Sequence, residues 1–196
     1  MMTHSLEGQA IELAWIRDNR CNLAVRDYMR MCLKKTTWYS FIYPMRVGAL
    51  LARPGKPRRD EFCRLGWYFG AAFQIQDDIL NLTADREKYG KEIGGDLWEG
   101  KRTLMLIHLL RNCTPKESVR LRRFLALPRH SRTRSRVEWV YRRMLHYKSI
   151  DFARRAARQL AGAALLEALA TFRNLPDSEE KQFILEMIFY VVNRDR

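Results

Sequence analysis

Gln74, Asp77, Asp78 and Asn81 stand at i, i+3, i+4 and i+7 within FQIQDDILN, so on a helix their oxygen-bearing side chains share one face. Phe73, Ile75, Ile79 and Leu80 border that face, and unpaired charge is expensive among such neighbours. Hard oxygen ligands at the mouth of an apolar cavity suit Mg²⁺, whose charge offsets the mutual repulsion of adjacent carboxylates. The alternative is the solvated face of an ordinary amphipathic helix. The residues that follow favour the metal. In EKYGKEIGGDLWEGKRT, Gly90, Gly94, Gly95 and Gly100 keep the backbone pliable, while Lys88, Lys91, Lys101 and Arg102 supply cations. Acids, then glycines, then lysines suit a metal-bridged phosphate. A second cationic element, KKTTW at 34–38, interrupts an apolar helical run. Its Lys35 can pair with a phosphate oxygen and its Thr36 can donate a hydrogen bond, although alone it would read as surface.

The elements that must position these residues are helices. Apolar spacing is helical along nearly every long segment, with proline and glycine mostly between segments. The pattern predicts helices at about 8–17, 25–51, 58–83, 101–111, 116–126, 134–147, 149–173 and 178–193. The second is expected to bend near Pro44. ARPGKPRR and ALPRHSRTRS stop and restart helices without the length of a domain linker, so residues 1–196 read as one all-α domain.

Composition narrows the class of protein. The chain has 196 residues, 47% hydrophobic, enough for one sizeable core. Its formal charge of +14 admits nucleic acid, anionic lipid or a phosphorylated small molecule as partner. From Arg111 to Lys148 twelve Lys or Arg face only Glu117 and Glu138. Leu121, Phe124, Leu125, Val137, Val140, Tyr141 and Met144 can turn inward there, leaving a solvated cationic face without a nucleic-acid recognition motif. Cys21, Cys32, Cys63 and Cys113 form no CxxC pair, and His4, His108, His130 and His146 show no ligand spacing. No secretory signal and no membrane-spanning run of ~20 apolar residues is found, so the expected location is the cytoplasm.

GQAIEL, KTTW, FQIQDDILN, GKEIGGDLWEGKRT and the closing YVVNRDR, in that order, resemble the trans-isoprenyl diphosphate synthases (polyprenyl synthetases), the geranylgeranyl diphosphate synthase type above all. The resemblance implies an isoprenoid-synthase-type helical bundle and roles for single positions. Asp77 and Asp78 match the family's second aspartate-rich motif, which binds Mg²⁺ on the diphosphate of an allylic substrate; Asn81 stands at the motif's third position. Lys35, Lys91 and Lys101 match lysines that contact that diphosphate. Thr36 and Gln74 match polar residues that serve the carbocation and proton-loss steps, and Gln9 matches the glutamine of a GQ element. The implied reaction is ionisation of the allylic diphosphate, attack by isopentenyl diphosphate, and proton loss.

The family's first aspartate-rich motif appears nowhere in the 196 residues, so the resemblance implies an N-terminally truncated bundle with half of the metal site. Three states follow: a fragment, a half completed by another synthase chain, or a non-catalytic relative that still binds an allylic diphosphate. A homodimer or hetero-oligomer is the expected assembly. A basic nucleic-acid-binding helical protein is the reading from a different class, and no nucleic acid is the expectation.

Overall fold

The computed structural model describes residues 2–52, 60, 62–83 and 94–194, among which every regular element is helical. α1 is Met2–Arg17 and α2 is Val25–Cys32; a π-helical segment, Leu33–Ile42, and α3, Tyr43–Ala52, continue α2 in one run. α4 is Cys63–Thr83, and α5 is the short Gly95–Glu99. Then come α6 (Leu104–Asn112), α7 (Pro115–Ala126), α8 (Arg134–His146), α9 (Ser149–Thr171) and α10 (Glu179–Asn193).

Local chemistry sets several of these ends. Thr114 Oγ1 accepts the Glu117 N–H at 3.3 Å while Glu117 accepts the Thr114 N–H at 3.1 Å, a reciprocal cap that starts α7 with Pro115 in its first turn. Thr103 caps α6, which therefore begins at Leu104 and leaves Lys101 and Arg102 in a loop, a correction to the helix predicted from 101. α1 starts six residues earlier than predicted, at Met2, because the Ser5 hydroxyl bonds the Lys35 carbonyl at 3.2 Å and Glu7 pairs with Lys34. α5 has no counterpart in the sequence reading, since five residues between glycines carry no measurable period.

Near Pro44 the sequence predicts a bend, and what the structure shows there is a change of pitch. Proline has no N–H and its ring crowds the carbonyl four residues back. The ten residues before Tyr43 adopt the wider π form, and the Tyr43 N–H reaches the Trp38 carbonyl five positions earlier.

Three close crossings stack α1, the π segment, α4 and α9 side by side. At Gly8 a Cβ would stand 2.5 Å from the Lys35 Cα, so α1 touches the π segment backbone to backbone. At Gly70 it would stand 2.7 Å from Thr37 Oγ1, and at Gly66 3.2 Å from the Ile42 Cα, which brings α4 equally near. On its other side α4 meets the buried alanines of α9 at 153, 157, 161, 164 and 168, a stripe at helical spacing. One apolar cluster joins Ile75, Ile79 and Leu82 of α4 to α6, α7 and α8; a second joins Leu65, Phe69 and Ala72 to α9 and α10. Of the residues expected to turn inward from the basic stretch, all are buried except Tyr141, which is half-buried. No described helix is long and apolar enough to cross a membrane.

Candidate active site

Gly66, Gly70, Gln74 and Asp78 form one i, i+4 row along α4. The glycines let the π segment approach, and the next two turns use that closeness for hydrogen bonds. Thr36 Oγ1 donates to Gln74 Oε1 at 2.6 Å, and Gln74 Nε2 donates to Asp78 Oδ1 at 2.9 Å. From α2 the fully buried Tyr28 hydroxyl donates to Asp78 Oδ2 at 2.7 Å. Thr36, Gln74 and Asp78, which the sequence places 42 positions apart, thus form one continuous chain of bonds. Tyr28 has no signal in the sequence beyond that of a core aromatic.

Lys35 is drawn the other way, towards α1. Its Nζ donates to Glu12 Oε2 at 2.6 Å, and Glu12 is itself buried. Gly8 and Glu12 are one turn apart, so the backbone contact at Gly8 sets the carboxylate opposite the ammonium. Gln9, the residue singled out by resemblance, is exposed, while its neighbours Gly8 and Glu12 face inward. The i, i+4 pairing of glycine with an acid was the available signal.

Asn81 closes the row from below. Its Oδ1 accepts the Asp96 N–H at 2.9 Å and its carbonyl accepts the Gly94 N–H at 2.6 Å, which ties α5 to the end of α4. Gly94 and Gly100 flank α5 at φ +74° and +69°, the left-handed region that glycine enters without a Cβ clash. Across α5, Lys101 Nζ donates to Asp96 Oδ1 at 2.6 Å. Lys91 lies outside the described residues.

Asp77 stands beside the row with its side chain 37% exposed, 3.9 Å from Arg194 Nη2. The Arg194 guanidinium stacks 4.5 Å from the Phe73 ring centre, and its carbonyl accepts from Gln76 Nε2 at 3.0 Å. The C-terminal segment is thereby folded back onto the acidic face.

The charges press on one another. Burial pushes the Asp78 carboxyl well above the usual carboxylate range and the Asp96 carboxylate adds to it, against the bonds from Tyr28 and Gln74. Burial also raises Asp96, which Lys101 opposes and which Asp77 and Glu12 reinforce. Burial works against the Lys101 charge, but Asp96 outweighs it and holds the ammonium above the ordinary lysine range. Among the described residues no three His, Cys, Asp or Glu side chains gather closely enough to enclose an ion. Mg²⁺ seldom requires such a cage, since one or two carboxylates with substrate phosphates and water commonly hold it. Asp77 at the rim and Asp78, whose carboxylate keeps acceptor sites beyond two bonds, fit that pattern.

Two buried arginines fix the loop that carries Lys101. Arg102 donates to the carbonyls of Gly100 and Arg20 and, at 2.8 Å, to Asn19 Oδ1. Arg132 covers Gly100 and donates to the Trp98 carbonyl and, at 3.1 Å, to the Leu125 carbonyl. Replacing Arg132 with methionine should cost about 2 kcal/mol, roughly 6 °C in Tm, by leaving buried carbonyls unpaired. Lysine should recover only part of that because it lacks the planar fork. Thermal unfolding of the two variants checks both expectations.

Known proteins share the sequence pattern and the helical fold. The family described as "Polyprenyl synthetase" matches residues 1–144. Octaprenyl diphosphate synthase of Escherichia coli is 30% identical over 190 residues, 97% of this chain and 56% of that protein. The crystal structure of geranylgeranyl pyrophosphate synthetase from Pyrococcus horikoshii superposes with a TM-score of 0.78 at 29% identity, covering 98% of this chain and 55% of that one. That of geranylgeranyl pyrophosphate synthase from Corynebacterium glutamicum, complexed with isoprenyl diphosphate and magnesium, shares the fold at 22% identity and a TM-score of 0.82, covering 100% and 53%. The chain spans about half the length of the curated relatives it matches. Because that family's match takes in well over half of the residues, the chain belongs to the polyprenyl synthetase family.

Proposed function

We propose that this chain carries the allylic-diphosphate side of a Mg²⁺-dependent prenyltransferase that condenses isopentenyl diphosphate with an allylic diphosphate. The observation that carries the reading is the bond chain Thr36–Gln74–Asp78–Tyr28, because it joins the KTT segment to the aspartate pair with Lys35 adjacent. Asp77 and Asp78 would hold the ion, which supplies positive charge to a diphosphate leaving group. Lys35, Lys101 and Lys91 would neutralise the same diphosphate, Lys35 and Lys101 by exchanging Glu12 and Asp96 for phosphate oxygens. Thr36 and Gln74 hold oxygen and nitrogen dipoles beside Phe73, where they can steady a developing cation and take up its proton. Asn81 acts through its hold on α5, with its own oxygen as a weaker ligand. The relatives include octaprenyl and geranylgeranyl synthases, and the motifs resemble those of the geranylgeranyl type above all.

A second reading, a half-site chain completed by another synthase polypeptide or a second copy, is favoured by one observation. Val47, Leu50 and Leu51 of α3 are 53, 46 and 78% exposed, an apolar face of the kind a complementary helix would cover. Mixing with a full-length synthase and measuring prenyl transfer separates the two readings.

Titration with geranyl diphosphate tests the site itself. Affinity should depend on Mg²⁺, and Asp77→Ala should weaken it about tenfold by removing a hard ligand at the rim. Asn81→Ala should cost less. Equal affinity of wild type and Asp77→Ala, with or without Mg²⁺, would overturn the reading.

A further inference from the structure

Far along the chain from the acidic row, α7 and α8 enclose a cleft of about 200 Å³. Arg120, Arg123 and Arg136 stand around it, and Phe124, Leu127 and Trp139 form its apolar walls. Two of the three guanidiniums are held in place. Arg120 stacks 4.0 Å from the Trp139 ring centre, and Arg136 Nη1 donates to the Ser131 carbonyl at 3.0 Å. Groups already ordered lose less freedom when they bind.

Glu117 and Glu138 are the acids of the stretch from Arg111 to Lys148, and both are engaged elsewhere. Glu138 pairs with Arg142 at 2.5 Å, and Glu117 pairs with Arg143 at 3.2 Å while accepting from the Tyr147 hydroxyl at 2.6 Å. Among the described residues none of the three cleft arginines is paired with a carboxylate. A surface arginine face needs only water, but this one surrounds an aromatic and aliphatic hollow.

We propose that the α7–α8 cleft binds a phosphate-headed amphiphile, its phosphate between Arg120, Arg123 and Arg136 and its apolar portion against Phe124, Leu127 and Trp139. Guanidiniums match phosphate oxygens two at a time, and a dianionic head balances a local excess of positive charge. The apolar walls distinguish this ligand from a bare anion. The site is independent of the acidic row and requires no metal.

The test is calorimetric titration of the full chain with octyl phosphate below its micelle concentration, in chelator. Octyl phosphate should bind about tenfold more tightly than inorganic phosphate, because the chain buries apolar area that the free anion lacks. Arg120→Gln/Arg123→Gln should weaken octyl phosphate about tenfold. These arginines are exposed, so the melting curve should be unchanged. Asp77→Ala should bind octyl phosphate as wild type does, which keeps the outcome separate from that of the active-site reading. Sedimentation with phosphatidylcholine vesicles, with and without phosphatidic acid, identifies the source. Retention on phosphatidic acid that the double variant loses marks a lipid headgroup, and its absence beside octyl phosphate binding marks a soluble ligand. Equal affinity for inorganic phosphate, undiminished binding by the double variant, or no octyl phosphate binding at all overturns the proposal.

Discussion

Gly8→Ala is expected to destabilise the chain by about 3 kcal/mol, the upper range for overpacking at a rigid contact. The added methyl would stand 2.5 Å from the Lys35 Cα and 2.7 Å from its Cβ, and a backbone cannot swing aside as a flexible side chain can. Separation of α1 from the π segment would also stretch the Lys35–Glu12 pair, leaving a buried carboxylate without its cation. Gly70→Ala should behave similarly against Thr37. Gly162→Ala is the internal control. It lies within α9 with nothing within 4 Å of the added Cβ, so it should gain about 0.5–1 kcal/mol from helix propensity alone. Urea unfolding of the three variants decides the matter, and a loss at Gly162 equal to that at Gly8 would refute steric crossing as the cause.

The second large effect is expected at Asp78, where stability and binding should move in opposite directions. Burial, then Asp96, raises the folded-state pKa of Asp78 above that of the unfolded chain. Its favourable share of stability is therefore fully present at acidic pH, below the unfolded value of ~3.9, and is lost as pH rises through the raised folded value. Asp78→Asn removes that loss. The bond chain can reverse to suit the amide: Gln74 flips, Thr36 accepts, and the Asn oxygen keeps the Tyr28 bond. In metal-free buffer at neutral pH the variant should be more stable by about 1–2 kcal/mol, with the gain shrinking towards acid. Mg²⁺-dependent affinity for an allylic diphosphate should fall. Melting curves across pH together with the titration check both halves, and a variant less stable at neutral pH would contradict the burial argument.

Much of this arrangement was legible in the amino-acid order, and the gaps have physical causes. Gln74, Asp77, Asp78 and Asn81 could be grouped because a single helix fixes their spacing without help from the rest of the fold. That Thr36 and Gln74 serve one site came from resemblance to a family, and their direct bond went unforeseen, since no local rule links positions 38 apart. Glu12, Tyr28, Asp96 and Arg194 escaped because each does its work through a partner on another element. Alone, each looks like an ordinary position of an amphipathic segment. Asn81 was expected at a metal, and in this fold its amide oxygen meets the Asp96 N–H, a contact set by two glycines in left-handed conformation. The π segment had only Pro44 to announce it, and proline reports that a bond is missing without saying how the helix will respond.

The unlike repeats of the two central helices bear on how the site can open. Gly66 and Gly70 are four apart on α4, whereas the residues they meet, Ile42 and Thr37, are five apart on the π segment. Two rods with equal threads can be advanced by one turn and re-seated, as helices do in ratcheting transitions. Rods with unequal threads act as a vernier, in which the glycine notches coincide with the opposing backbone at one setting alone. Sliding α4 along its neighbour by a turn would seat one glycine in the other's place and force a side chain, Gln74 or Phe62, into the notch left behind. The acid row therefore keeps its place relative to Thr36, and any opening of the site has to leave these two helices in register.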